Sequence, residues 1–203
     1  MKKMFFRVNF LAFLCLKSII LCIFADQMEI VLIRHTSVAV PKAVCYGQTD
    51  VDVAATFEEE AARTKAELSA YEPFDAVYSS PLKRARLLAA YCGYEHPVVD
   101  ARLMEMSMGD WEMRPYAEFV DDYSREWFEN YLTMPTPGGE SFQMLYKRVA
   151  AFLDELRQRD YQRVAIFAHG GVLACAGVYG GLYDVEHIWD HPVEYGGILR
   201  VES

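Results

Sequence analysis

Three short segments of this 203-residue chain each join an apolar run to polar or basic residues. They are VLIRHT at residues 31–36, SSPLKR at 79–84 and IFAHGG at 166–171. In a parallel α/β sheet, such abrupt stops fall at the carboxyl ends of strands, where ligands bind. Two histidines and two arginines would therefore meet at one edge of one sheet. Those side chains suit the handling of a phosphate dianion by a histidine nucleophile, so the pattern predicts a phosphatase.

The dipeptide Arg34-His35 ends the first apolar run. A charged residue and a histidine at the end of a buried strand are costly unless they have a function. In the functional interpretation, the neutral imidazole of His35 attacks phosphorus and forms a phosphohistidine that water later cleaves. Arg34 presents its planar guanidinium group to the phosphate oxygens. The alternative for this dipeptide taken alone is a capped strand end with a surface histidine.

Arg84 lies in the first turn of the helix that is predicted to follow Pro81. The helix dipole favours acidic side chains at that end, so an arginine is unexplained there unless an anion binds at the helix start. Lys83 and Arg86 lie close by, and a solvated basic face made by all three is the alternative. The spacing favours Arg84 as the residue that points inward.

Two further candidates come from the last apolar run and from the segment LMEMSMGDWE at residues 103–112. The two glycines after His169 allow a tight turn and a close approach of the backbone to a ligand. A histidine at that point can donate to a phosphate oxygen, although an incidental histidine in a turn is the alternative. Glu105 is an acid among apolar residues and hence a candidate proton donor. Composition alone favours a surface acid in an irregular loop.

From Met28 onward, strand-like apolar runs alternate with helix-like segments, which predicts one α/β domain over residues 28–203. The predicted strands are 29–33, 76–78, 97–99, 164–167 and 198–201. The predicted helices are 57–71, 81–92, 115–132, an amphipathic segment that begins near Ser141, and 172–178. We find no linker, repeat or low-complexity segment in the sequence.

Together these motifs resemble the histidine phosphatase superfamily, the phosphoglycerate-mutase-like group, over residues 28–203. The resemblance implies an α/β three-layer sandwich with a mostly parallel central sheet flanked by helices. It implies that His35 is the phosphorylated nucleophile and that Glu105 is the general acid, with no metal or other cofactor. The residues that it implies for phosphate binding are Arg34, Arg84 and His169.

Two departures from the family pattern concern the phosphate pocket. Thr36 stands where glycine is usual, and residues 37–41 lack the Glu-x-x-x-Asn that commonly follows, so the asparagine contact to phosphate has no counterpart. The segment CYGQTD at residues 45–50 resembles the α-ribazole-phosphatase branch, which removes a 5′-phosphate during assembly of the cobalamin nucleotide loop. This resemblance gives three candidate substrate-binding residues, Tyr46, Gly47 and Gln48.

The leading hypothesis is therefore hydrolysis of α-ribazole 5′-phosphate. A mutase, or a phosphatase for another small phosphorylated metabolite, is the first alternative. The chain length disfavours the mutase, because members of that branch usually carry longer insertions. A non-catalytic phosphate-binding module is the second alternative. It predicts loss of the nucleophile or the acid, whereas both His35 and Glu105 are present.

The composition is that of a globular protein, with 53% hydrophobic and 24% charged residues and a net charge of −9. Without residues 1–27, 16 basic and 28 acidic residues remain, a net charge of −12. Such a surface repels nucleic acid, so a phosphate-ester site must be a local basic pocket and the expected partner is a small molecule. The five cysteines show no metal-ligand spacing, and neither a disulfide framework nor a zinc site is expected. The sequence does not indicate an oligomeric state.

Residues 1–27 resemble a signal peptide in their basic start, apolar middle and small residue Ala25 near the end. Lys17 splits the apolar part, Ile23 stands where a small residue is expected, and Met28 begins the first predicted strand. Two interpretations follow: a signal-like extension, which leaves export open, or a start site assigned too far upstream in a cytoplasmic protein. We favour the second. The apolar stretch after Lys17 is far shorter than the ~20 residues of a membrane span, so no stable membrane partner is expected.

Overall fold

The computed structural model describes residues 28–202, so the predictions for residues 1–27 lie outside the described part of the chain. Residues 28–202 contain one five-stranded sheet in the order β3-β2-β4-β1-β5. The strands β1 to β4 are parallel to their neighbours, and β5 runs antiparallel to β1 at one edge. The predicted mostly parallel sheet is thus confirmed. The strand bounds are β1 Glu29–Arg34, β2 Ala76–Ser79, β3 Val98–Val99, β4 Arg163–Ala168 and β5 Ile198–Glu202.

Helices cover both faces of this sheet, which confirms the predicted three-layer arrangement. The first two helices pack on one face and the last two on the other, each pair with its own hydrophobic cluster. Within residues 28–202, no helix is long and apolar enough to cross a membrane. The helix bounds are α1 Phe57–Leu68, α2 Lys83–Tyr91, α3 Asp122–Asn130, α4 Phe142–Leu156 and α5 Gly170–Tyr179.

The central strands β1 and β4 are apolar apart from their charged end residues because both of their faces are covered. Ile30 and Leu32 point to the side of α4 and α5, whereas Val31 and Ile33 point to the side of α1 and α2. All four side chains are at most 1% exposed. Continuous rather than alternating hydrophobicity is typical of parallel strands that are buried in this way.

The position of the site follows from how the chain leaves these two neighbouring strands. After β1 it continues to α1 on one face of the sheet, and after β4 it enters α5 on the opposite face. Adjacent parallel strands whose connections go to opposite faces leave a crevice at their carboxyl ends. Arg34 pairs with Ala168 at the ends of β1 and β4, so His35 and His169 follow side by side into this crevice.

A small aromatic cluster, which we call the aromatic cap, is built from Cys45, Trp111, Phe119 and Trp127. Trp111 stacks on Phe119 with 4.7 Å between ring centroids and meets Trp127 edge-on at 5.3 Å. Satellite clusters of this kind form beneath long loops. The cap lines one side of the cavity that contains His35.

The prediction of one continuous helix over residues 115–132 is wrong. The segment divides into a 3₁₀ turn at Tyr116–Phe119 and the helix α3. The cause is a reciprocal cap at the start of α3. Asp121 Oδ1 accepts from the Ser124 backbone N–H at 2.8 Å, and Ser124 Oγ accepts from the Asp121 N–H at 2.9 Å. This capping box fixes the helix start and ends any continuation from the preceding turn.

Candidate active site

His35 follows β1 directly and is only 2% exposed. Its Nδ1 lies 2.7 Å from the backbone oxygen of Thr36. A carbonyl oxygen can only accept, so Nδ1 carries the proton and Nε2 of the neutral ring keeps its lone pair. Burial, followed by the positive charges of Arg84 and Arg34, lowers the pKa of His35 to about 3. The ring is therefore neutral at physiological pH.

His169 lies beside His35 with its ring fully buried. The ring centroids are 5.1 Å apart. Nε2 of His169 meets the hydroxyl of Ser80 at 2.7 Å, while Nδ1 has no hydrogen-bond partner within residues 28–202. Burial first, then the nearby positive charges that include Arg84, hold the pKa of His169 well below its usual value. The site thus contains two neutral imidazoles.

Arg84 is the inward-pointing member of the basic triplet on α2, as the spacing predicts. Its side chain is fully buried, whereas Lys83 and Arg86 are exposed. The guanidinium donates to the carbonyl of Gly47 at 2.6 Å and to that of Thr49 at 3.0 Å. Burial lowers the pKa of Arg84 from its ordinary value, yet a guanidinium stays protonated.

Arg34 is held on the other side of the site by residues just before β5. Its NH1 donates to the carbonyl of Val193 at 2.6 Å, and its Cζ lies 4.1 Å from the centroid of the Tyr195 ring. A cation at this distance from an aromatic ring is stabilised electrostatically. Tyr195 also lies 5.5 Å from the His35 ring, yet no motif in the sequence identified it.

The side chain of Glu105 packs against the first turn of α5, where its carboxylate contacts Gly171. Its Oε2 accepts from the Gly171 N–H at 3.2 Å, and its Oε1 accepts from the Met106 N–H at 2.9 Å. A Cβ atom at Gly171 would lie 2.4 Å from Glu105 Oε1, so a larger residue there would displace the carboxylate. Arg148 of α4 donates to the Glu105 carbonyl at 2.8 Å. No motif in the sequence identifies Arg148, whose only signal is a charge next to the apolar stripe of α4.

The predicted substrate-binding segment divides into one cavity residue and two residues that hold the site together. Tyr46 lines the cavity, and its hydroxyl meets that of Tyr195 at 2.9 Å. Among the described residues, Gly47 and Gln48 are not part of the lining. The Gly47 carbonyl instead accepts from Arg84, and Gln48 Nε2 donates to the Glu105 carbonyl at 3.0 Å.

The cavity has a volume of about 660 Å³. Its wall includes Arg34, His35 and Glu105, while Arg84 and His169 are buried outside the lining. In the described part of the chain, Arg34 is the only lysine or arginine on this wall, and most of the remaining lining is aromatic or apolar. Prominent members are Met106, Met108, Trp111, Trp127, Tyr131 and Trp189. Residues 28–202 contain no cluster of three or more His, Cys, Asp or Glu side chains placed to hold a metal ion.

A three-layer α/β fold with two histidines and two arginines at its central crevice defines a class of phosphoryl-handling enzymes. Residues 30–203 match the family model of the histidine phosphatase superfamily (branch 1). The chain belongs to this superfamily. The membership confirms the resemblance found in the sequence and the prediction of an enzyme of the phosphatase class.

The proteins that this chain resembles include both a phosphoserine phosphatase and α-ribazole phosphatases. The chain is 32% identical to phosphoserine phosphatase 1 of Hydrogenobacter thermophilus, over 70% of this chain and 71% of that protein. It is 29% identical to the adenosylcobalamin/alpha-ribazole phosphatase of Salmonella typhimurium, over 75% of this chain and 85% of that protein. The crystal structure of the alpha-ribazole phosphatase from Shigella flexneri superposes with a TM-score of 0.77 at 26% identity, over 85% of this chain and 89% of that one.

Proposed function

We propose that this chain is a phosphomonoesterase that acts through a phosphohistidine on His35, and that its substrate is α-ribazole 5′-phosphate. The main support for this reaction is that the His35 ring is neutral and already oriented. Its Nδ1–H is committed to the Thr36 carbonyl, which leaves the Nε2 lone pair of a neutral ring as the nucleophile. An uncharged imidazole that is already oriented needs no separate base before it attacks phosphorus.

Arg34, Arg84 and His169 bind the phosphoryl group in this proposal. The support is that three buried nitrogen atoms, Arg34 Nε, Arg84 Nε and His169 Nδ1, have no hydrogen-bond partner in the described chain. A buried donor without a partner is costly, and phosphate oxygens would offset that cost once a small shift of the side chains at the cavity floor exposes these atoms. When the Ser80 hydroxyl donates to His169 Nε2, the ring proton lies on Nδ1 and this atom becomes a donor. Phosphoryl transfer depends mostly on such positioning and charge stabilisation.

Glu105 supplies and then recovers one proton. As His35 Nε2 bonds to phosphorus and the bond to the ester oxygen breaks, Glu105 protonates the departing oxygen. The resulting carboxylate then takes a proton from the water that attacks the phosphohistidine, and the phosphorus–nitrogen bond breaks. Inorganic phosphate leaves and both side chains return to their starting states. The support is that Glu105 lines the same cavity as His35.

The composition of the cavity wall favours α-ribazole 5′-phosphate over phosphoserine or 3-phosphoglycerate. The benzimidazole base of α-ribazole is flat and uncharged, and flat aromatic groups pack well against an aromatic wall. Phosphoserine and phosphoglycerate instead carry a carboxylate near the phosphate. The one lysine or arginine on the described wall is Arg34, which the phosphate already uses in this proposal, and Glu105 lies close by. An unpaired carboxylate at this place would be unfavourable.

Substrate profiling in the presence of EDTA tests this proposal. We expect kcat/KM for α-ribazole 5′-phosphate to exceed that for phosphoserine and 3-phosphoglycerate by about tenfold or more, as expected for a buried charge without a partner. Phosphoserine remains the second candidate because of the relative at 32% identity, and the reverse order would favour it. No turnover of any of these esters or of p-nitrophenyl phosphate would contradict the phosphatase proposal.

We also infer that the enzyme works in the cytoplasm. The support is that Cys45, Cys92 and Cys175 are all buried and unbridged in the described part of the chain. Free thiols persist in reducing compartments, whereas disulfides are common in exported proteins. Cell fractionation of a C-terminally tagged chain tests this inference, and recovery from the periplasm or medium would contradict it.

A further inference from the structure

The carboxylate of Glu112 accepts five hydrogen bonds. Its Oε1 accepts from the backbone N–H groups of Gln48 at 2.8 Å and Met108 at 3.1 Å. Its Oε2 accepts from the N–H groups of Gly47 at 3.0 Å and Thr49 at 3.1 Å, and from the Thr49 hydroxyl at 2.7 Å. A carboxylate offers about four lone-pair sites, so this group is fully used as an acceptor. Within the described chain Glu112 does not line the cavity.

The loop gathered by Glu112, residues 47–49, is the loop that orients Arg84. The carbonyls of Gly47 and Thr49 accept from NH2 and NH1 of Arg84 at 2.6 and 3.0 Å. Both acceptors are neutral, so they fix the plane of the guanidinium without cancelling its charge. A Cβ atom at Gly47 would lie 2.1 Å from the Met106 carbonyl oxygen, which shows how tightly the loop is packed.

We propose that Glu112 is a positioning residue for the phosphate pocket. By collecting the N–H groups of residues 47–49, it holds the two carbonyls that aim Arg84 at the phosphoryl group. This inference rests on the proposed function, in which Arg84 binds that group. It also assigns different roles to two acids of one sequence motif: Glu105 transfers the proton, and Glu112 acts through Arg84.

The Glu105 backbone is held largely by other contacts, which makes the two roles separable. Arg148 donates to the Glu105 carbonyl at 2.8 Å and to the Met104 carbonyl at 2.6 Å. Gln48 also donates to the Glu105 carbonyl, at 3.0 Å, but Arg148 still holds this oxygen when the loop moves. Loss of Glu112 should therefore weaken phosphate binding without a selective effect on proton transfer.

The test is a titration of inorganic phosphate by calorimetry into wild type, Glu112→Gln, Arg84→Ala and the double variant. Glutamine has the size of glutamate but presents an amide NH₂ to N–H donors, so the loop should lose its anchor. We expect phosphate affinity to fall about tenfold or more in Glu112→Gln. The double variant should bind no more weakly than Arg84→Ala, because residues that act through each other are not additive.

Asp75→Asn is the matched control. Asp75 also accepts from two backbone N–H groups, those of Gln162 and Arg163. These groups lie where β2 and β4 begin, at the end of the strands opposite to the site. We expect this variant to lose thermal stability and keep its phosphate affinity. If Glu112→Gln does not fold, as judged by circular dichroism, Thr49→Val removes one of the five hydrogen bonds. Its phosphate affinity should then fall about threefold, and it should change nothing further in the Arg84→Ala background.

Wild-type phosphate affinity in Glu112→Gln, or losses that add in the double variant, would overturn the inference. A rate loss confined to alkyl phosphates, with p-nitrophenyl phosphate spared, would also overturn it, because that pattern belongs to a proton donor. Failure of the proposed function is seen separately. In that case wild type hydrolyses no phosphate ester or His35→Ala keeps its turnover, whereas the phosphate titration depends on neither result.

Discussion

The rings of His35 and His169 lie 5.1 Å apart between centroids, at an angle of 58°, because each follows the end of one of two paired parallel strands. The pairing of Arg34 with Ala168 sets this distance before any side-chain contact is considered. Both rings are buried and both have a lowered pKa. The positive charge of the pocket therefore comes from its arginines, and the histidines remain free to act as nucleophile and hydrogen-bond donor.

Acid should destabilise the fold partly through His35. Its pKa is about 3 in the folded chain against an ordinary value of 6.5, so only the unfolded chain binds a proton between these values. The stability that His35 contributes is thus fully present above about pH 6.5 and is lost as the pH falls toward 3. Urea unfolding at pH 7 and pH 5 should show a loss about 2 kcal/mol smaller in His35→Gln than in wild type. Identical losses would show that folding does not lower the pKa of His35.

Arg84→Ala should lower kcat/KM by about 10²–10³-fold, the usual loss when one donor to the transition-state charge is removed. Arg86→Ala is the control, because Arg86 lies two residues away on the same helix and is exposed. We expect Arg86→Ala to keep its activity to within a factor of two or so. Steady-state kinetics on p-nitrophenyl phosphate measures both variants. Near-normal activity of Arg84→Ala would remove Arg84 from the phosphate pocket.

Glu105→Gln should slow esters of alcohols far more than p-nitrophenyl phosphate. An alkoxide is a poor leaving group and needs the proton, whereas p-nitrophenolate barely does. General acid catalysis contributes typically about 10²–10⁴-fold, so the difference should be large. Hydrolysis of the phosphoenzyme is common to all substrates and can mask the effect, so the rate of phosphoenzyme formation should be measured by rapid quench. Equal losses on both substrates would indicate a structural role for Glu105.

Gly171→Ala should reproduce the selectivity of Glu105→Gln in a folded protein. The new Cβ would lie 2.4 Å from Glu105 Oε1, at the movable end of that side chain, so the carboxylate shifts and loses its hydrogen bond to the Gly171 N–H. Gly170→Ala is a milder neighbour, because its Cβ would lie 3.4 Å from Arg34 Cζ. We expect the kcat for an alkyl phosphate to fall at least tenfold more in Gly171→Ala than in Gly170→Ala, about the effect of misplacing one catalytic group. Similar kcat values for the two variants would show that Gly171 does not set the position of Glu105.

The sequence was sufficient for the sheet, the layers and the residues at the strand ends. Apolar runs such as Val164 to Ala168 and the polar residues that follow them are local signals, and parallel pairing then brings His35 and His169 together. The start of α3 also has a local signal, because Asp121 is of a residue type favoured at helix N-caps. The acidic, aromatic composition of residues 115–132 continues across this cap and therefore predicts one longer helix.

Contacts between distant parts of the chain could not be predicted in this way. Tyr195 reaches Arg34 from 161 positions further along, through a loop before β5 that carries no motif. The role of Glu112 depends on which N–H groups a folded loop presents, and composition does not reveal this. Gly47 and Gln48 were predicted from a branch resemblance as substrate contacts. In the structure each of these residues holds a candidate site residue in place. The Gly47 carbonyl accepts from Arg84, and Gln48 Nε2 donates to the Glu105 carbonyl.

The most direct measurement of the central claim is to trap the phosphoenzyme. Wild type is mixed with ³²P-labelled substrate, quenched within one turnover and analysed by peptide mapping, with His35→Ala and His169→Ala in parallel. We predict that wild type carries an acid-labile, base-stable label on the peptide that contains His35, as a phosphoramidate should, and that His35→Ala carries none. His169→Ala should form the same label more slowly. Label that survives in His35→Ala, or that maps to a peptide without His35, would contradict the account.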